Sequence, residues 1–221
     1  MDWQAFLLSL KLSAWTTLIL FIVGLIIARA LAWRRFPGKS LIEAVVALPL
    51  VLPPTVLGYY LLVAFGRDTW LGRMFAALTD STLAFSFSGL LLASVFYSLP
   101  FAVQPMLRAF ESVPVQLREA AWCSGLSHWQ TFLRIEFPLA WSGILTGLVL
   151  AFAHTLGEFG VVLMVGGNIP GATKTISIAI YDRVQAFDEQ AAGTMSLTLL
   201  IFSFVTISLV YAFNRRRGDV L

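Results

Sequence analysis

Few residues in this chain are of a type that does chemistry, and the spacing of two of them stands out. His154 and Glu158 lie four positions apart, so on a helix they share one face. That arrangement suits a proton couple, with an imidazole passing a proton to a carboxylate. The other histidine, His128, lies in a polar stretch and cannot join them. Neither histidine has the serine–carboxylate or thiol company that would make a nucleophilic triad. Cys123 is the single cysteine, which excludes an intrachain disulfide and a Cys-based metal site, so no metal is expected. No glycine pattern forms a phosphate loop of the G-x-x-x-x-G-K-[ST] type. The chain is therefore not expected to be an enzyme, and it has no ATPase site of its own.

A second constellation suits docking rather than catalysis. Glu119, Ala120, Ala121, Trp122, Cys123, Ser124 and Gly125 are followed by Ile135-Glu136-Phe137-Pro138. An exposed glutamate alone is usually just a solvated helix residue. Here small Ala120, Ala121 and Gly125 would let another protein approach closely. Trp122, Trp129 and Phe132 would supply apolar anchors of the kind found at interfaces. Ser112 and Pro114 read as a helix start. Gly125 reads as the left-handed residue that ends this helix. Ser127 with Gln130 fits a capping box for a second short helix, and Pro138 would open the element after it. Trp122, Leu126, Trp129, Phe132 and Phe137 are all available for burial in this segment.

The elements around these residues are set by hydropathy. The chain has 221 residues, 58% hydrophobic and 12% charged. Soluble domains carry about 25% charged residues, so this composition points to a membrane. Stretches 12–28, 44–66, 81–107, 137–157 and 190–214 contain no Asp, Glu, Lys or Arg. A spanning helix needs about 20 apolar residues. An all-α membrane protein with five spans follows, at 12–33, 44–66, 84–107, 139–165 and 192–213, in one domain over 1–221. β-Barrel strands would be shorter and would alternate in polarity. The first span runs past Arg29, whose side chain is expected to snorkel toward headgroups. Residues 12–33 lack the flanks of a cleaved signal peptide.

Basic residues set the orientation. Arg29, Arg34, Arg35, Lys39, Arg108, Arg118, Arg134, Arg215, Arg216 and Arg217 fall on one side; Lys11, Arg67, Arg73, Lys174 and Arg183 fall on the other. The larger set marks the cytoplasm, which places the N-terminus outside and the C-terminus inside. Anionic lipid accounts for the net charge of +3, and no nucleic-acid partner is needed. Segment 111–138 is then the longest cytoplasmic loop. Segment 166–189 is an extracytoplasmic loop, either simply solvated or a docking surface for a soluble partner.

Prolines interrupt two spans: Pro49, Pro53 and Pro54 in the second, Pro100 and Pro105 in the third. With Thr55 and Glu158 they are candidates for a pathway or hinge, the alternative being static kinks filled by packing. A carboxylate at the bilayer centre costs about 2.5–3.5 kcal/mol on insertion scales. Glu158 is therefore either part of a proton relay or a structural group. In the structural role it pairs with a helix N-terminus, a hydroxyl or His154.

The spacing E-A-A-x3-G-x9-I-x-F-P resembles the loop by which membrane-spanning permease subunits of ABC importers meet their ATPase. The likeness covers nearly the whole chain. Within that family it is most similar to the molybdate permeases, through Arg35-Phe36-Pro37-Gly38-Lys39, the run Leu48–Tyr59, Leu156-Gly157-Glu158-Phe159-Gly160 and Asn168–Thr175. Phe137 stands where the motif usually has Leu. The resemblance implies type I importer architecture and a coupling helix built from Glu119, Ala120, Ala121, Trp122, Gly125 and Ser127. It also implies a homodimer in a bacterial inner membrane, two cytoplasmic ATPase subunits holding ATP and Mg, and an extracytoplasmic oxyanion-binding protein. This chain would bind no cofactor. Tungstate and sulfate permeases share part of the pattern, and a proton-coupled anion carrier is the alternative from another class.

Overall fold

A computed structural model describes residues 1–218, with side chains through 208 and at 210 and 212. The basic run Arg215–Arg217 lies outside the described side chains, and 219–221 lie outside the described residues. Among the described residues all regular structure is helical.

Helix α1 covers Trp3–Trp33 and starts well before position 12, capped by the Asp2 carboxylate, which accepts the Ala5 N–H at 3.0 Å. Lys11 does not end it, because its ammonium lies 4.7 Å over the Phe87 ring. The expected span 44–66 is instead two helices, α2 (Lys39–Val51) and α3 (Pro54–Ala64), whose axes differ by 116°. Pro53 and Pro54 bring no N–H, and each forces the residue before it to be extended. Leu52 and Pro53 accordingly have ψ of 136° and 138°. Pro49 stays inside α2. A short helix, α4 (Trp70–Thr79), follows, its start capped by the Thr69 hydroxyl.

Helix α5 (Phe87–Glu111) corrects one expectation, since it runs through Pro100 and Pro105 without a break. Close packing holds it. The glycines facing it are so near that a Cβ on Gly143 would lie 2.9 Å from the Pro105 carbonyl, and one on Gly147 would lie 2.6 Å from that of Ala102. Helices α6 (Val115–Cys123) and α7 (His128–Thr131) form the polar segment. Helix α8 (Phe137–Gly157) does not start afresh at Pro138. A π turn over Phe132–Glu136 joins it to α7, and His128–Gly157 runs as one 30-residue apolar helix. In that turn Phe137 N–H bonds the Phe132 carbonyl, just ahead of the proline that has no N–H to give.

The expected span 139–165 is broken after Gly157. Glu158 and Phe159 leave helical geometry, and α9 (Gly160–Gly166) follows. The 166–189 segment is not simply a loop, since α10 (Ile176–Gln185) lies within it. Helix α11 (Glu189–Gly218) contains the fifth expected span. Among the described residues four helices are long and apolar enough to cross a membrane, and the bent α2–α3 pair would make five spans.

The core is the α1–α5–α8 trio. A Cβ on Gly24 of α1 would meet Met106, Ala102 and Val103 of α5, and Lys11 meets Phe87, so these two helices run parallel. Gly147 meets Ala102 while Ser98 meets Thr155, so α8 runs antiparallel to both. Leu20, Ala28, Met106, Phe110, Ile144 and Ala151 are buried at their junction. Small residues on facing helices permit this approach in lipid, where apolar burial between helices drives little. Leu7, Leu18, Ile26, Val51, Leu200 and Phe204 remain exposed, as a lipid-facing surface requires.

Candidate docking site and its anchoring cluster

The turn between α6 and α7 folds as its sequence reads, while the helix boundaries expected at Ser112 and Pro138 do not appear. Pro114 precedes α6, although Ser112 closes α5 instead of starting α6, its hydroxyl donating to the Ala109 carbonyl. Gly125 has φ of +81° and ends α6 with open space around its α-carbon. The Ser127 hydroxyl accepts the Gln130 N–H at 3.2 Å, and Gln130 Oε1 accepts the Ser127 N–H at 2.9 Å. Both halves of the capping box are therefore present. The turn between α6 and α7 is fixed by one left-handed glycine and one reciprocal cap.

Its surface divides the expected residues. Glu119, Ala120, Trp122, Gly125 and Ser127 are exposed, while Ala121 is buried against the chain itself. Trp129 is 65% exposed, whereas Phe132 is 7% exposed and lies beneath it, so Phe132 is no anchor for a partner. Leu126 and Phe137 are half-buried. Trp122 meets His128 edge-on at 5.0 Å across the turn. The result is a stiff knuckle with a glutamate, two tryptophans and small residues on its outer side.

What holds this knuckle was not legible as a site. Glu136, at the end of the π turn, is fully buried. Its carboxylate accepts from Arg29 Nε at 2.6 Å and Arg29 Nη2 at 3.4 Å, and from Arg118 Nε at 2.8 Å. The Arg118 guanidinium lies 3.8 Å over Trp33 and 5.0 Å over Trp122, and that of Arg29 lies 4.9 Å over Phe132. Arg29 therefore does not snorkel outward; a buried carboxylate claims it. Such a carboxylate is tolerated only when paired and hydrogen-bonded, and here both conditions are met.

Two helix breaks meet elsewhere in the molecule. A Cβ on Gly160 would stand 2.7 Å from Pro54 Cβ, and one on Gly58 would stand 2.8 Å from Met164 Cβ. The α2–α3 break and the α8–α9 break are therefore packed against each other. Pro53, Pro54 and Thr55 are exposed there, Pro49 is half-buried, and Pro100 is buried within continuous α5. Glu158 Oε1 accepts the Val161 N–H at 2.9 Å, so this carboxylate caps α9. His154 Nδ1 pairs with Ser98 Oγ at 2.9 Å, and its ring stacks on Phe101 at 3.9 Å between centroids. Its Nε2 is 4.0 Å from Glu158 Oε2, beyond hydrogen-bond reach. The pair shares a face, yet each member has its own structural partner. Among the described residues no group of three or more His, Cys, Asp or Glu is placed to hold a metal.

The 166–189 segment is folded on itself. Asp182 accepts from Asn168 Nδ2 at 2.9 Å and from Lys174 Nζ at 2.6 Å. Partial burial alone would push its carboxyl up. The Lys174 ammonium and Asn168 amide, with Arg183 near, outweigh that and hold it below the usual carboxylate range. Thr173 is buried, its hydroxyl donating to the Gly166 carbonyl at 2.7 Å.

Known proteins bear directly on this architecture. The chain is 47% identical over 219 residues, 99% of its length and 97% of the relative's, to the molybdenum transport system permease protein of Azotobacter vinelandii. It is 32% identical to a probable sulfate transport system permease protein of Chlorella vulgaris, covering 96% of this chain and 79% of that one. Its fold matches the crystal structure of a bacterial ABC transporter involved in import of the acidic polysaccharide alginate, with TM-score 0.77, 18% identity, and 96% and 78% of the two chains covered. Residues 20–219 match one family along nearly the whole chain. The chain belongs to the family of binding-protein-dependent transport system inner membrane components.

Proposed function

We propose that this chain is the membrane-spanning subunit of an ATP-driven importer of molybdate. The observation that carries the cargo is the 47% identity, over essentially the full length of both chains, to a molybdenum permease. The observation that carries the mechanism is the exposed, rigidly turned α6–α7 knuckle on an otherwise apolar protein. In this reading two copies of the chain form the passage. Two cytoplasmic ATPase subunits receive Glu119, Ala120, Trp122, Gly125 and Ser127, and ATP with its Mg is bound and hydrolysed there. A binding protein delivers the oxyanion at the opposite end, where Asn168, Lys174 and Asp182 lie. The N-terminus is outside and the C-terminus is in the cytoplasm.

ATP binding draws the ATPases together and moves the knuckles. The bundle then exchanges inward- and outward-facing states, an equilibrium biased by ATP on one side and by the loaded binding protein on the other. The packed breaks at Pro53–Pro54 and Glu158–Phe159 are where spans change direction, and they serve as hinge and passage. Glu158 is engaged by the start of α9, which suits an element that must let a dianion pass instead of repelling it. Selectivity then resides mainly in the binding protein.

The test is uptake of labelled molybdate into cells expressing the chain with its ATPase and binding protein, with tungstate and sulfate as competitors. Uptake blocked by tungstate, unaffected by sulfate and lost in Gly125→Asp supports the machine and its cargo. Block by sulfate would reassign the cargo. Uptake that persists without the ATPase and follows the proton gradient would replace the importer reading with a proton-coupled carrier.

A further inference from the structure

We infer that Glu136 is the positioning residue through which movement of the α6 knuckle reaches the transmembrane bundle, an inference that rests on the importer reading. Helix α6 is poorly attached otherwise. Of its nine residues only Ala121 is buried. Among the described residues its one side-chain hydrogen bond to another element is from Arg118, whose side chain is 11% exposed and whose Nε donates to Glu136 at 2.8 Å. The same carboxylate is held from the other side by Arg29, near the end of α1. Glu136 itself belongs to the continuous helix that becomes α8. One side chain therefore joins α1, α6 and α8, two of which make up most of the core trio.

The chemistry suits transmission of force. Charge-assisted bonds from arginine are short and directional, so they resist reorientation more than apolar contacts do. Separating either guanidinium would take one of two charge-assisted partners from a fully buried carboxylate, so the cluster moves as a unit. Stacking of Arg118 between Trp33 of α1 and Trp122 of α6 clamps its plane. Meanwhile the outer side of α6, with Glu119 and Ala120, makes no use of this cluster. Docking and transmission thus meet on one short helix, with Glu119 and Ala120 on the docking side, Arg118 on the inner side and Trp122 touching both. Family resemblance at the docking motif marks the outer residues; the inner tether is visible only in three dimensions.

The experiment compares Glu136→Gln, which keeps the shape and loses the charge, with Arg118→Gln, which frees α6 but leaves the Arg29–Glu136 pair. Each is expressed with the ATPase and binding protein, and the complex is purified into vesicles. Three quantities are read: ATPase recovered with the permease, basal hydrolysis, and labelled molybdate imported per ATP hydrolysed. Both variants are expected to retain the ATPase and its basal hydrolysis. Import per ATP should fall about tenfold or more, the scale of one lost charge-assisted hydrogen bond. Arg118→Lys, which keeps charge without the planar fork, should fall between wild type and Arg118→Gln. Unchanged import per ATP in both variants would overturn the proposal. So would loss of the ATPase from the complex, which would make the cluster part of docking, or failure of both variants to reach the membrane, which would make it a folding determinant only. A wild-type chain without ATPase-dependent import would instead refute the importer reading.

Discussion

Gly157 and Gly160 flank the same helix break, yet the structure assigns them opposite tolerances. A Cβ on Gly160 would lie 2.7 Å from Pro54 Cβ, while one on Gly157 would meet nothing within 4 Å. Carbon atoms rest about 3.5–4.0 Å apart, so Gly160→Ala must push α3 and α9 apart by about 1 Å. Overpacking of this kind costs about 1–3 kcal/mol. If one of the two transport states keeps the contact and the other relaxes it, their ratio shifts about 5–150-fold. Gly157→Ala has no such cost, since its Cβ would stand in open space at the last position of α8. Thermal stability of the purified permease and initial rates of molybdate uptake read both effects. Gly157→Ala should hold its uptake within about twofold of wild type, as a change without a contact does. Gly160→Ala should lose stability and most of its uptake at normal membrane yield. Equal behaviour of the two variants would refute the claim that the breaks are packed together in the working protein.

Other expected outcomes test separate parts of the molecule. Ser127→Ala removes one half of the capping box and should cost about 1 kcal/mol locally; less ATPase should co-purify while membrane yield holds. Gly125→Ala places a side chain at φ +81° and should act the same way, at about 1–2 kcal/mol. The Asp182 carboxyl is held below its usual value, so its stabilising contribution is complete above the unfolded pKa and is lost as pH falls through the folded one. Protection factors of the amides in 168–185, corrected for the intrinsic slowing of exchange at low pH, should therefore fall on acidification, and Asp182→Asn should remove that change. Replacing Pro53 and Pro54 together by Ala should leave complexes intact and abolish transport, since a continuous helix replaces the 116° bend; retained transport would exclude a role for the break.

The parts legible in the sequence were those whose causes are local. Apolar runs marked where the long helices lie, though 44–66 and 139–165 each hold a break, while Gly125 gave a left-handed helix end and Ser127 with Gln130 gave a cap, because each signal lies within a few residues. Pro53–Pro54 marked a real break, while Pro100 did not, since whether a proline interrupts a helix depends on the packing around it. The break at Glu158 carries no proline at all; its cause is a carboxylate that caps the next helix more favourably than it continues the last. Helix α10 did have a readable start, Thr175 before the apolar positions Ile176, Ala179 and Ile180, hidden by the glycines ahead of it. Glu136 was not readable. Its partners are 18 and 107 positions away, and beside Pro138 it reads as an ordinary surface acid.

The π turn has a mechanical consequence. Because it makes His128–Gly157 one helix, there is no slack between α7 and the span once Glu136 ties α6 to that helix, and the 30 residues behave as a rod about 45 Å long. Tilting such a rod by about 10° around its middle swings each end by about 4 Å in opposite senses. A push received at His128 then arrives at Gly157 undiminished and reversed in direction, where the helix ends against Glu158. The chain would thus work as a lever whose far arm bears on the α8–α9 break, with the stroke set by helix geometry and not by any loop.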